Sequence, residues 1–132
     1  MTKLAPLIAI VDDDESVGRA LRRLLKSAGY DVATYTSGDD FLCALDRMPP
    51  SCVLLDLHMP IADGFWVQKR LAELHSEAPV IILTGHDTAA ARDATMQGGA
   101  AAFFTKPVDG QKLIDAIDRV LTERDAAKPP DS

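Results

Sequence analysis

Five short apolar or β-prone runs, each giving way to polar or turn residues and then to a segment of helical periodicity, constrain this chain most. They are Leu7-Ile8-Ala9-Ile10-Val11, Asp31 to Tyr35, Val53-Leu54-Leu55, Val80-Ile81-Ile82-Leu83-Thr84 and Ala101 to Thr105. Four of the five are continuous apolar runs rather than alternating ones. That is the signature of strands covered on both faces. The second is more polar and is expected at an edge. Strands alternating with helices form βαβ units with right-handed crossovers, hence a parallel sheet.

The intervening helices carry their own punctuation. Val17, Ala20, Leu21, Leu24, Leu25 and Ala28 recur at helical spacing, with Asp14 as cap and Gly29 as left-handed exit. Ser37 and Asp40 resemble a capping box for a helix through Phe41, Leu42 and Leu45, which Met48-Pro49-Pro50 ends. A helix capped near Asp63 carries Phe65, Val67, Leu71 and Leu74. Gly85-His86-Asp87 is expected as a loop that supplies a helix cap. The next helix, Thr88 to Gln97, is rich in alanine, has Met96 as its large apolar anchor, and ends at Gly98-Gly99. The last helix carries Leu113, Ile114, Ile117, Val120 and Leu121. The expected architecture is α/β: a doubly wound, flavodoxin-like sandwich with a five-stranded parallel sheet of order 2-1-3-4-5 and helices on both faces. One domain is expected over residues 1–124, with 125–132 a flexible tail or the start of a linker.

Composition narrows the function. A chain of 132 residues suits a single core. A net charge of −6 without a Lys/Arg run argues against direct nucleic-acid binding by this domain. No apolar stretch is long enough for a membrane helix, and Met1 to Pro6 does not read as a signal peptide. Cys43 and Cys52 match no metal or redox spacing. They are expected as small buried hydrophobes in a reducing cytoplasm.

The chemistry gathers where the strands end, which is where open α/β sheets bind ligands. Asp12 and Asp13 follow the first run, Asp56 the third, Thr84 ends the fourth, and Lys106 follows the fifth. Singly, each has a plain structural reading: a loop-capping Asp, a strand-end hydroxyl, a solvated lysine. Their joint spacing favours a site. Crowded carboxylates repel, and a hard divalent cation such as Mg²⁺ relieves the repulsion through oxygen ligands. Asp56 is then placed as a nucleophile that can form an acyl phosphate. Lys106 supplies a point charge and Thr84 a hydroxyl donor for phosphoryl oxygens.

The set Val11-Asp12-Asp13-Asp14, Leu55-Asp56-Leu57-His58-Met59-Pro60 with Asp63-Gly64, Leu83-Thr84-Gly85-His86 and Thr105-Lys106-Pro107 resembles the receiver domain of two-component response regulators. The resemblance runs from Leu7 to about Arg124. It implies that Asp56 accepts a phosphoryl group from a sensor histidine kinase or a phosphotransfer protein. It implies Mg²⁺ held by Asp13, Asp56 and the backbone carbonyl of His58, with Asp12 acting through water. Thr84 becomes a switch hydroxyl, Lys106 the phosphate-binding lysine, and Phe103 a switch aromatic. A cis peptide is implied before Pro107. Asp14 is read as a helix cap outside the metal shell. The domain is then a signalling phosphoacceptor rather than an enzyme. Its output surface is the alanine-rich helix, the fifth strand and the last helix, and Thr84-Gly85-His86 looks similar to receivers that precede helix–turn–helix output domains, which suggests transcription as one form of output.

Two rival classes are an Mg²⁺-dependent aspartyl-phosphate phosphohydrolase and an interaction module that is not phosphorylated. The first lacks an Asp-x-Asp pair around Asp56 and a lid. Retention of Asp12, Asp13, Asp56, Thr84 and Lys106 argues against the second. His58 and His86 follow Asp56 and Thr84 at the same interval and are expected either to overhang the pocket or to be solvated loop residues. Ala89, Ala90, Ala91 and Ala94, with Arg92 and Asp93, suggest a phosphorylation-dependent homodimer.

Overall fold

The computed structural model describes residues 5–59 and 63–127. Pro60 of the Asp56 motif and residues 128–132 of the expected tail lie outside the described residues. Strands β1 (Leu7–Val11), β2 (Asp31–Tyr35), β3 (Cys52–Leu55), β4 (Val80–Thr84) and β5 (Ala102–Thr105) alternate with helices α1 (Glu15–Ser27), α2 (Gly38–Ala44), α3 (Gly64–Glu73), α4 (Ala89–Gln97) and α5 (Gly110–Ala127). The strands form one sheet in the order β2-β1-β3-β4-β5, with every described pairing parallel. The expected topology is thus observed, and the more polar β2 lies at an edge.

The period of two along each strand divides the core. Ile8, Ile10, Leu54, Ile81 and Leu83 face one way and pack with Leu21 and Leu25 of α1 and Leu113, Ile117 and Val120 of α5. Ala9, Val11, Val53, Leu55 and Ile82 face the other way, against Phe41 of α2 and Val67 and Leu71 of α3. Both faces of the central strands are therefore covered, which is why their sequences are continuously apolar. Among the described residues no helix is long and apolar enough to cross a membrane.

Most punctuation falls as expected. Asp14 accepts from the backbone N–H of Ser16 and Val17, Ser37 from Asp40, and Asp63 from Trp66. Gly29 and Gly99 take φ of 97° and 98°, the left-handed region that favours glycine. Four expectations change. The cap of α4 is Thr88, whose side chain accepts from Ala91 N–H, and Asp87 is free for other contacts. Met96 is 45% exposed and anchors nothing. Thr95 is the buried residue of α4, and Gln68 of α3 donates to its carbonyl at 2.7 Å. Cys52 is buried, but Cys43 is exposed, because the apolar face of α2 is used by Phe41. Finally, α5 continues through Ala127, past the boundary expected at Arg124.

Candidate functional site

Parallel pairing carries four chain segments to one edge. Just beyond the strands, Asp12 N–H bonds to Tyr35 carbonyl, Asp56 N–H to Val11 carbonyl, and Lys106 N–H to Thr84 carbonyl, at 2.8 to 3.0 Å. These bonds fix the backbone of each polar residue. Asp12 and Asp56 are 4% and 5% exposed although both are acids, whereas Asp13 is exposed. Gly64 lets α3 start against this edge. A Cβ there would collide with the backbone carbonyl of Asp56 and lie 2.7 Å from Leu57 Cα.

One carboxylate oxygen from each of Asp12, Asp13 and Asp56 lies within 4.8 Å of the others. Lys106 Nζ donates to Asp12 Oδ2 at 2.6 Å and lies 3.6 Å from Asp56 Oδ2. The other oxygen of Asp56 accepts the His58 N–H at 3.2 Å, and Asp12 Oδ1 accepts the Asp14 N–H at 2.9 Å. Burial raises the Asp56 carboxyl above its ordinary pKa. The His58 N–H and Lys106 oppose the shift, while the charges of Asp12 and Asp13 add to it. Burial works to lower the Lys106 ammonium, but its hydrogen bond to Asp12 and the nearby charges of Asp56 and Asp12 outweigh that, and its pKa is raised. The lysine therefore stays cationic among the acids. Three clustered oxygen-donor side chains, two of them buried, suit a hard divalent ion better than a soft one.

Thr84 is fully buried at the end of β4, and its Oγ1 accepts the His86 N–H at 3.1 Å. The Lys106–Pro107 peptide is cis, as expected. Asp14 is occupied as the α1 cap, and its carboxyl sits below the ordinary range, chiefly through the Ser16 hydroxyl. His58 and His86 meet edge to face, ring centroids 4.4 Å apart, and line a cleft of about 340 Å³ with Phe65, Thr88, Ala90 and Ala91. Phe103 and Phe104 are both partly buried and pack into opposite cores.

One set of contacts was not legible from local pattern. Asp87 Oδ2 accepts from Arg92 Nη2 at 2.8 Å and from Thr105 Oγ1 at 2.9 Å. The Arg92 guanidinium lies 4.8 Å from the centre of the Phe103 ring. The sequence signal is an acid just before a helix and an arginine in its first turns, but the Thr105 partner is supplied only by the sheet. A larger groove, about 640 Å³, runs between α1 and β2, and its lining includes Arg19, Arg22, Arg23, Lys26 and Asp12.

Sheet order and strand-end acidic cluster together define a phosphoacceptor signalling domain of the CheY-like kind. The chain belongs to the response regulator receiver domain family, which matches residues 8–118. It is 40% identical, over 91% of its length, to the tetrathionate response regulatory protein TtrR of Salmonella typhimurium, covering 58% of that protein. It is 35% identical to the DNA-binding transcriptional regulator NtrC of Klebsiella pneumoniae over 92% of this chain and 26% of NtrC. Among solved structures, a response regulator receiver protein from Burkholderia phymatum is 46% identical, with a TM-score of 0.79 over 89% of this chain and 95% of that one. The chain thus spans less than two thirds of the length of these curated relatives.

Proposed function

We propose that Asp56 is the phosphoacceptor, and that a sensor histidine kinase or phosphotransfer protein supplies the phosphoryl group in an Mg²⁺-dependent transfer. The observation that carries this reading is the convergence of a buried Asp56, two further carboxylates and Lys106 on one sheet edge. Asp13 and Asp56, with the His58 carbonyl, would hold the ion directly and Asp12 would reach it through water. An ion held there would offset the negative charge of the phosphoryl oxygens.

An Asp56 carboxylate oxygen attacks phosphorus. The P–N bond of the partner's phosphohistidine breaks, its electron pair returns to the imidazole, and an acyl phosphate remains on Asp56. Lys106 exchanges Asp12 for a phosphoryl oxygen, and the Thr84 hydroxyl turns to donate to another. Phe103 moves with it, and the α4–β5–α5 surface carries the change. The same pocket assists loss of the phosphoryl group to water. The name of NtrC supports transcription as the downstream output, reached through a separate part of the full regulator. Transfer from a kinase of this kind takes place in the cytoplasm.

Acetyl phosphate with Mg²⁺, followed by intact mass, tests the reading. One added phosphate is expected in the wild type, dependent on Mg²⁺ and absent from Asp56→Asn. Full labelling of Asp56→Asn would overturn the assignment. Sustained hydrolysis of varied phosphomonoesters without a stable adduct would favour the phosphohydrolase instead.

A further inference from the structure

For the Thr84 hydroxyl to turn toward a phosphoryl group on Asp56, its bond from the His86 N–H must break. The segment Gly85 to Asp87 is then free to shift. Asp87 is the residue of this segment that is tied to other elements. A single oxygen of its carboxylate accepts from Arg92 of α4 and from Thr105 of β5. Thr105 is the register partner of Thr84 across β4 and β5, so Asp87 is tied to the strand beside the one that carries Thr84. Arg92 does two things at once: it donates to Asp87 and lays its guanidinium over Phe103. A planar guanidinium can stack and donate together, which an ammonium does less well.

We infer that Asp87, Arg92 and Thr105 form an interlock that holds the β4–α4 loop, α4 and Phe103 in the resting arrangement, and so sets how readily chemistry at Asp56 moves them. The inference rests on the phosphoacceptor reading above and deepens it. The contacts are solvent-exposed and individually weak. They share one acceptor, so losing the carboxylate releases both donors and leaves the Arg92 guanidinium held over Phe103 by stacking alone. The shifted state then becomes more populated before any phosphoryl group arrives, and a ligand that prefers that state binds more tightly. Damage to the fold would act in the opposite direction. The sign of the effect therefore separates release of the interlock from general disruption.

Beryllofluoride with Mg²⁺, titrated against Trp66 fluorescence or by calorimetry, is the probe. Asp87→Ala, which releases both donors, is expected to bind it about threefold more tightly than wild type, and Arg92→Ala and Thr105→Val are expected to bind it more tightly by a smaller factor. The double variant Asp87→Ala/Arg92→Ala is expected to gain less than the sum of the two single gains, because both substitutions remove the Asp87–Arg92 contact. Thermal melts establish that each variant is folded, and Thr105→Val, which removes a single donor, carries the test if Asp87→Ala does not fold. Unchanged or weaker binding by folded variants, or additive gains in the double variant, would overturn the interlock. Failure of the wild type to bind beryllofluoride would instead overturn the phosphoacceptor reading.

Discussion

Lys106 is committed to Asp12 rather than to Asp56: its ammonium is 2.6 Å from one carboxylate and 3.6 Å from the other. In the resting domain the lysine therefore neutralises an acid on the side where the cation would bind. A charge serving that purpose competes with a metal ion. Lys106→Ala is expected to tighten Mg²⁺ binding about threefold, read by fluorescence of Trp66, while slowing phosphorylation by acetyl phosphate at least tenfold. Weaker Mg²⁺ binding in this variant would mean that the lysine positions Asp12 rather than competing for it.

Asp56 imposes a pH dependence on stability. Burial raises its pKa in the folded protein. A group of this kind contributes stability fully below the ordinary carboxylate pKa and loses it as pH rises through the higher folded value. At neutral pH the ionised, buried carboxylate is a net cost. Without divalent cations, Asp56→Asn is expected to melt roughly 4 °C above wild type at pH 7, the shift that about 1 kcal/mol produces in a domain of this size. The advantage is expected to fade as pH falls below the carboxylate range, where wild type is protonated in both states. An advantage that persisted in acid would be one of packing, not charge.

His58 and His86 form an edge-to-face pair, with His58 two residues beyond Asp56. The paired rings are expected to restrict the approach of water to an acyl phosphate on Asp56. Replacing either with Ala is expected to change the decay rate of phosphorylated protein at least twofold, followed by intact mass over time. Wild-type decay in both variants would leave them as loop histidines in contact with each other and nothing more.

Self-association is expected to follow phosphorylation, through α4 and β5. Ala89, Ala90 and Ala94 are exposed and small, and Met96 is exposed beside them. Ala91, by contrast, packs inward. In the resting domain Arg92 is held by Asp87, so it becomes available to Asp93 of a second copy only after release. Sedimentation is expected to show a weak dimer with beryllofluoride and Mg²⁺, weakest at low salt because each copy carries −6. A monomer in both states would leave a different protein as the target of the surface.

The sheet was legible because continuous apolar runs and glycine or proline breaks are local signals with a direct physical cause. Asp12, Asp13, Asp56, Thr84 and Lys106 were legible for the same reason: each stands at the end of such a run. What stayed hidden depends on partners distant in sequence. Nothing near Met96 says that it faces outward, because the polar tie from Gln68 to Thr95 comes from another helix. Nothing near Asp87 says that Thr105 will donate to it. The length of α5 was missed because its last turns are polar, and polar residues there read equally well as tail.

The tie between Gln68 and Thr95 has a mechanical consequence. It grips α4 in its last turn, where Gly98 leaves room for the Gln68 side chain that a Cβ would obstruct. The opposite end of the helix begins at Thr88, directly after the loop that follows Thr84. A rod pinned at one end travels furthest at the other. Once the Asp87–Arg92 tie is released, a small movement at Thr84 is expected to swing the helix about the Thr95 pivot, as a lever, rather than to melt it.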